Sequence, residues 1–167
     1  MTLSSQRALS PLEAAQVLGI GQACVDRFIR DGLLTARALP QSFAIDASDL
    51  EDFTAVYEEF RQDYRTKGHV FINVGLPKAR IKGVYFVLSN RHVKIGHASD
   101  IRSRILGLQT SHPELLQLLA WEDGGYKRER ELHQQFAAHR ERGEWFRPEG
   151  DLREHIAQTT AWYWGFH

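Results

Sequence analysis

The sequence predicts an α+β fold made of two small units, a helical unit with a hairpin and then a small antiparallel sheet flanked by helices. A helix-capping signal at Ser10–Glu13, followed by apolar residues at helical spacing, predicts the first unit. Two β-branched and aromatic runs around the turn signal Ser89-Asn90-Arg91 predict a hairpin in the second. The 167 residues suffice for two small domains. We divide them into residues 1–66, a linker or edge segment at 67–82, and residues 83–167.

The first unit begins with two short helices. Ser10-Pro11-Leu12-Glu13 forms a capping box with proline at the first helical position. Gly19-Ile20-Gly21 predicts a tight turn, and Gln22–Arg30 a second helix that ends at Asp31-Gly32. Two short helices joined by a glycine turn are typical of a helix-turn-helix.

A hairpin wing and a longer helix complete this unit. The wing is predicted over 33–44 with Pro40-Gln41-Ser42 at its tip, and the helix from Asp46 to about Tyr64. The block through Phe53 resembles the winged helix-turn-helix of the excisionase and MerR type. The resemblance implies that the second helix enters the major groove of DNA while the wing contacts the backbone. Related helix pairs also dock proteins or dimerise, so a protein partner or self-association through this unit is an alternative.

Four polar residues of this unit are candidates for DNA binding. Arg27 and Gln22, on the second helix, are suited to base edges. Arg30, and Arg37 on the wing, are better placed for phosphates.

The hairpin of the second unit joins Val84–Leu88 to His92–Ile95. Side chains alternate across a strand, so Tyr85 faces away from Val84 and Phe86. Lys94 likewise faces away from its two apolar neighbours. A register that buries the apolar faces therefore leaves Tyr85 and Lys94 on one face.

Three further helices are predicted after the hairpin. The first has Ser99 as N-cap and Asp100 in its first turn, and it carries Arg104. Its inward residues are Ile101, Ile105 and Leu108. The second helix has Leu132 and Phe136 on its inner face and Glu129 on the flank. The third runs over 151–164 and packs Leu152, Ile156 and Trp162–Trp164 against the core, and residues 69–72 are a candidate edge strand.

An ordered set of motifs then resembles the GIY-YIG nuclease superfamily, over about residues 81–147. Gly83-Val84-Tyr85 matches its first tripeptide, Lys94-Ile95-Gly96 its second with lysine replacing tyrosine, and Arg104 its helix arginine. Glu129–His133 and Gly143–Phe146 resemble the branch related to phage T5 orf172 and the meiotically up-regulated 113 domains, where Val-Lys-Ile-Gly is common.

The resemblance implies a role for each matched residue in phosphodiester cleavage. Tyr85 would accept a proton from the attacking water, with Lys94 helping to stabilise the phenolate. Arg104 would clamp the phosphoryl oxygens with charged donors. Glu129 would hold Mg²⁺ or Mn²⁺, since one carboxylate is enough for an ion that keeps several waters. His133, one helical turn after Glu129, would orient it or contact phosphate.

Each residue also has a simpler interpretation. Tyr85 can be a packing residue, and Arg104 a solvated surface charge. Glu129 lies in the charged run at 127–131, which also suits exposed ion pairs, and Glu131 is the alternative site carboxylate. The lone histidines His92 and His97 are left out of the site. The segment at 143–146 is read as structural, with Glu144 or Trp145 at the border of the groove as the alternative.

The charge distribution favours a polyanionic partner for the second unit. The chain is neutral overall, but residues 1–66 hold 6 basic and 10 acidic side chains, net −4, whereas residues 67–167 hold 15 and 11, net +4. Seven bases and one acid lie between Lys78 and Arg104, as expected for phosphate contacts. Lys82, Arg91 and Arg102 are the candidate DNA-binding residues there, and a solvated face is the alternative.

Other classes are disfavoured by composition. No stretch is apolar for the roughly 18 residues that a membrane span needs, and the start of the chain lacks a secretory signal. Cys24 is the single cysteine, which excludes an intramolecular disulfide or a cysteine metal cluster.

We expect a cytoplasmic, metal-dependent endonuclease that cuts DNA, double-stranded by preference, and is targeted by its helix-turn-helix. A non-catalytic DNA-binding regulator with the same fold is the alternative.

Overall fold

The structure is a computed structural model that describes residues 7–67 and 80–166. It is an α+β fold with an N-terminal helical region and a C-terminal antiparallel sheet, which confirms the predicted fold class. The candidate edge strand at 69–72 and most of the predicted linker lie outside the described residues. No helix in the described ranges is long and apolar enough to cross a bilayer.

The N-terminal region pairs its helices with a three-stranded sheet. Its elements are β1 (Ala8–Leu9), α1 (Pro11–Leu18), α2 (Gln22–Arg30), β2 (Arg37–Ala38), β3 (Phe43–Asp46) and α3 (Ala47–Lys67). The capping box is confirmed, because the Ser10 hydroxyl accepts from the Glu13 amide and the Glu13 carboxylate accepts from the Ser10 amide at 2.8 Å. The predicted hairpin is also confirmed, with β2 antiparallel to β3 and the sheet ordered β1-β3-β2.

The C-terminal region is built on a five-stranded sheet. Its elements are β4 (Gly83–Ser89), β5 (His92–Ala98), α4 (Ile101–Gln109), β6 (Gln117–Glu122), α5 (Tyr126–Gln135), a short 3-10 helix (Ala137–His139), β7 (Arg140–Arg142), β8 (Trp145–Phe146) and α6 (Gly150–Trp164). The strand order is β6-β4-β5-β8-β7, and neighbouring strands are antiparallel. In the β4–β5 register Tyr85 lies opposite Gly96 and Val87 opposite Lys94. Tyr85 and Lys94 therefore share a face, as predicted.

The helices cover the two faces of this sheet separately. Ile101 and Ile105 of α4 are buried in the same cluster as Tyr85 and Val87. On the other face, α5 and α6 pack against the strands through a second cluster that includes Val84, Phe86, Leu132, Phe136, Leu152 and Ile156. The sheet is thus the middle layer, and α4 and α5 lie on opposite sides of β5.

The start of α4 differs from the prediction that Ser99 caps it. The N-cap is Asp100, whose carboxylate accepts from the Ser103 amide at 3.1 Å and from the Ser103 hydroxyl at 2.8 Å. A carboxylate satisfies the free amides as well as a serine hydroxyl does, and its charge also favours the positive end of the helix. These hydrogen bonds lower the pKa of Asp100, the backbone one most.

The last turn of α6 packs against the N-terminal region. Trp164 is buried with ring centroids 5.3 Å from Phe28 and 5.0 Å from Phe60, and its carbonyl accepts a hydrogen bond from the Tyr57 hydroxyl at 2.6 Å. Trp162 was predicted to be in the core but is 58% exposed. With 3.6 residues per turn, positions two apart point in nearly opposite directions, so 162 faces out where 164 faces in.

Candidate active site

The two glycines of the hairpin motifs lie where a neighbouring group comes too close for a side chain. A Cβ on Gly96 would lie 2.6 Å from the Tyr85 hydroxyl oxygen, so the phenol lies directly over this glycine. Gly83 has φ +151°, and its Cβ would collide with the backbone oxygen of Glu122. Gly96 thus leaves room for the Tyr85 ring over β5, where Tyr85 is 1% exposed.

Lys94 is half of an ion pair on the same face. Its ammonium donates to the Glu144 carboxylate, and the lysine side chain is only 11% exposed. Glu144 stands at the turn between β7 and β8, and its backbone carbonyl accepts from the Ile95 amide at 3.1 Å. The β7–β8 turn therefore contacts β5 with both backbone and side chain.

Arg104 and His133 act on this same carboxylate. The hydrogen bond from Lys94 lowers the pKa of Glu144 most, burial opposes it, and the charges of Lys94, His133 and Arg104 lower it further. Arg104 projects from α4 with an exposed side chain. Although α4 and α5 cover opposite faces of the sheet, a charged residue from each helix lowers the pKa of Glu144.

His133 reaches the backbone of β5 from α5. Its Nε2 lies 2.9 Å from the Ile95 carbonyl oxygen. A carbonyl can only accept, so Nε2 carries the hydrogen and donates. In a neutral ring Nδ1 is then the remaining acceptor.

Glu129 contacts His97, an exposed residue of β5. It is 7% exposed, and its carboxylate lies 2.5 Å from Nδ1 of His97, whose side chain is 41% exposed. His97 lies opposite Val84, so it projects from the face opposite Tyr85. Glu129 and Tyr85 accordingly approach β5 from opposite faces.

An open strand edge connects the two faces. β8 pairs with β5 only at Val93 and Lys94, so within the described residues Gly96–Ala98 have no strand on that side. Four consecutive residues of β5, 94–97, lead to this edge, and each contacts one side chain near the site. Glu144 contacts Lys94 and His133 contacts Ile95. Tyr85 contacts Gly96 and Glu129 contacts His97. Arg104 is linked to them through Glu144.

One oxygen of the buried Glu129 carboxylate has no hydrogen-bond partner among the described residues and is available to a ligand. This oxygen is Oε1, whereas Oε2 faces His97. The described residues contain no group of three or more histidine, cysteine, aspartate or glutamate side chains that could hold an ion. Magnesium suits one carboxylate because it keeps waters and takes phosphate oxygens as further ligands.

The residues predicted to bind DNA are distributed over the surface. Gln22, Lys82 and Arg91 are exposed, and Arg102 is half-buried. Arg30 is exposed and pairs with Asp31 at 2.7 Å, and Arg37 pairs with Asp46 at 3.5 Å.

Arg27 is engaged inside the chain. Its guanidinium donates to the carbonyls of Trp162 and Tyr163 at 2.9 and 3.0 Å, and it lies 3.9 Å above the Trp162 ring. We therefore leave Arg27 out of the DNA surface proposed below.

Sequence reasoning left out His97 and kept Glu144 only as an alternative at the groove. His97 directly follows the second motif in the sequence, and this was the one feature that could have predicted its place near the site. Its pairing with Glu129, 32 residues later, depends on how α5 docks. Glu144 precedes the aromatic pair that forms β8, and only the β5–β8 register shows that it meets Lys94.

The residues around β5 belong to a small antiparallel sheet that is flanked by helices. Residues 82–162 match the family model described as the T5orf172 domain, a domain of the GIY-YIG/HNH-like endonuclease type. Neither the comparison with curated proteins nor that with solved structures finds a match. The family match indicates a nuclease-like or DNA-binding function for this segment, with DNA as the partner.

Proposed function

We propose that the protein is a divalent-metal-dependent endonuclease that hydrolyses phosphodiester bonds in DNA. The observation that carries the proposal is the run of contacts along residues 94–97 of β5. It places a phenol and an amine on one face of β5, and an imidazole and a carboxylate on the other face, with the open strand edge between them. These are the groups that phosphodiester hydrolysis requires for proton transfer and for charge neutralisation.

Each residue has a role that fits its position. Tyr85 takes the proton of the attacking water, and Lys94 lies on the same face of the hairpin. Arg104, exposed on α4, binds the phosphoryl oxygens and remains charged throughout. His133 is held by Ile95 and presents its other nitrogen to phosphate or water.

Glu129 would hold Mg²⁺ or Mn²⁺ through Oε1. When bound, such an ion neutralises charge on the phosphoryl group and polarises water. His97 contacts the second carboxylate oxygen and so fixes the direction of the first. Substrate phosphate and water would supply the remaining ligands.

The N-terminal region is proposed to dock the enzyme on DNA. Gln22 on α2 is exposed and suited to base edges, and Arg30 and Arg37 to phosphates. Lys82, Arg91 and Arg102 extend the contacts on the catalytic region, whose net charge is positive. We keep the winged helix-turn-helix assignment and the double-stranded substrate as part of this proposal.

A plasmid-nicking assay with Mg²⁺ or Mn²⁺ tests the catalytic role of Arg104. Arg104→Ala should lower the cleavage rate by about 10²-fold or more, because a donor to the transition-state oxygens is lost. Arg153→Ala is the matched control, since Arg153 is another exposed helix arginine, on α6 across the sheet. Equal cleavage by Arg104→Ala and wild type contradicts the proposal, as does intact DNA with either metal.

One observation favours a second candidate, a DNA-binding protein without catalysis. Both carboxylates beside β5 already face a basic group, Glu144 the ammonium of Lys94 and Glu129 the imidazole of His97. DNA binding that is unchanged by metal and by Glu129→Gln, with no cleavage, selects this candidate.

A further inference from the structure

A cavity of about 380 Å³ opens at the hairpin end of the sheet face that carries Tyr85 and Lys94. Ser89 and His92, the last pair of the hairpin, line it. They project from this face because each lies two residues from Val87 or Lys94 along its own strand. The cavity therefore continues the candidate active-site face rather than opening elsewhere on the molecule.

A cross-strand row joins the cavity to Lys94. Lys94 lies opposite Trp145, and Trp145 opposite Arg142, so the three side chains follow one another across β5, β8 and β7. The Lys94 ammonium is 5.9 Å from the Trp145 ring centroid. Trp145 and Arg142 both line the cavity, so an aromatic ring lies between two basic groups.

The wall of the cavity is a fixed pair of rings. His112, from the loop after α4, stacks on Trp145 with centroids 5.6 Å apart and planes 17° apart. The Ser89 hydroxyl donates to Glu114 at 3.1 Å, so His112 Nε2, 2.7 Å from the same oxygen, must be the donor in its contact with Ser89. His112 therefore cannot take the serine proton, which argues against a serine nucleophile here and leaves a binding role.

The polar groups of the cavity fit a nucleobase better than a free anion. Glu114 is exposed and uses one lone-pair site for Ser89 and a long 3.4 Å contact for Asn90, so it can accept more hydrogen bonds. Its negative charge opposes phosphate, but a carboxylate accepts well from an exocyclic amino group of a base. Flat aromatic rings bind unstacked bases by stacking, and Arg142 at the rim suits the neighbouring phosphate.

We propose that this cavity holds one unpaired base of the bound DNA strand, stacked against the Trp145–His112 wall with its exocyclic amino group donating to Glu114. Cytosine, adenine and guanine carry such a group and thymine does not. In a duplex the base would first have to leave the stack. The inference rests on the proposed function, since it requires DNA across the Lys94 face.

Binding of the full chain to single-stranded homopolymers tests the proposal. The measurement is made in EDTA, where metal-dependent cleavage does not occur. Wild type should bind oligo(dC) roughly tenfold more tightly than oligo(dT), because a base amino group gains the carboxylate partner. Glu114→Ala should lose this preference, and Glu154→Ala, which removes the same charge from an exposed site on α6, should keep it. Equal affinity of wild type for the two homopolymers overturns the proposal, as does an unchanged preference in Glu114→Ala.

Photocrosslinking separates failure of the cavity from failure of the proposed function. Oligo(dC) containing 5-iodocytosine is irradiated with wild type, and the crosslinked peptide is identified by mass spectrometry. Crosslinks to Trp145 or His112 support the proposal. Bound DNA whose crosslinks all lie outside the cavity overturns it and leaves the endonuclease untouched, whereas no binding to single-stranded or plasmid DNA overturns both.

Discussion

Glu129 and Glu131 lie two residues apart on α5 and have opposite surroundings. The Glu129 side chain is 9% exposed and faces His97, whereas the Glu131 side chain is 47% exposed and lies 3.4 Å from Arg128. The sequence alone allowed either as the site carboxylate, because both belong to one charged run. The way in which α5 packs on the sheet separates them, since Glu129 faces β5 and Glu131 faces solvent.

Exchanging each carboxylate for an amide tests this choice. Glu129→Gln should lower metal-dependent cleavage by about 10²-fold or more, because a neutral amide is a weaker ligand for a hard divalent ion. Glu131→Gln should cut at close to the wild-type rate, because it loses only an exposed ion pair. The measurement is the nicking rate over a series of Mn²⁺ concentrations. A larger loss in Glu131→Gln would reverse the assignment.

Part of this site was predictable from residue spacing alone. Strand alternation placed Tyr85 and Lys94 on one face, since each side chain of a regular hairpin points to one of only two faces. Spacing could not show that His97 meets Glu129 from the other face, because that contact depends on the docking of α5. The Lys94–Glu144 pair likewise depends on the turn between two short strands.

At the level of elements, the half-buried carboxylate of Glu122 connects β6 to α5 and α6. Glu122 accepts from Arg128 at 2.5 Å and lies 2.7 Å from Nε2 of His155. Burial raises the pKa of the Glu122 carboxyl, but the hydrogen bonds from His155 and Arg128 outweigh it and hold the pKa below its usual value of 4.5. The carboxylate form is thus favoured by folding.

This network should give the protein an acid-sensitive component of stability. A carboxyl whose pKa is lowered by folding stabilises the native state fully above the unfolded-chain value of 4.5, and this stabilisation is lost as the pH falls through the folded pKa. Glu122→Gln should cost on the order of 1–3 kcal/mol of unfolding free energy at neutral pH. The cost should shrink at about pH 4 and below.

Urea denaturation at the two pH values gives the measurement. Glu59→Gln, at an exposed position of α3, is the control and should cost about 0.5 kcal/mol or less. A cost of Glu122→Gln that is equal at both pH values would show that its charge is not what ties the elements together.

Helices and strands with strong local signals were predicted well, whereas β6 and β7 were not predicted. The α2 bounds agree with the sequence prediction, as does the β4–β5 hairpin within a few residues. β6 was not predicted, because its apolar run is too short for periodicity to separate strand from helix. β7 is exposed at all three positions, so it has no apolar alternation to detect.

At the scale of the whole molecule, the two regions differ in charge but share buried residues. The predicted division into 1–66, 67–82 and 83–167 separates net −4 from net +4 on either side of residue 66. A single cluster of buried residues nevertheless includes Phe28 and Tyr57 from the first region and Trp121 and Trp164 from the second. The Tyr163 hydroxyl also donates to Asp31 at 2.6 Å, and burial raises the pKa of that phenol.

This shared core should make the two regions unfold together. Trp164→Ala removes a ring that packs on Phe28 and Phe60, so it should cost about 3–5 kcal/mol. Trp162→Ala, two residues earlier and 58% exposed, should cost about 1 kcal/mol or less, mainly from its stacking on Arg27. Urea unfolding of the full chain, followed by circular dichroism and by tryptophan fluorescence, should give one coincident transition that Trp164→Ala shifts. Two separate transitions, with only one moved by Trp164→Ala, would mean that residues 1–66 are an independent folding unit whose contact with α6 adds little stability.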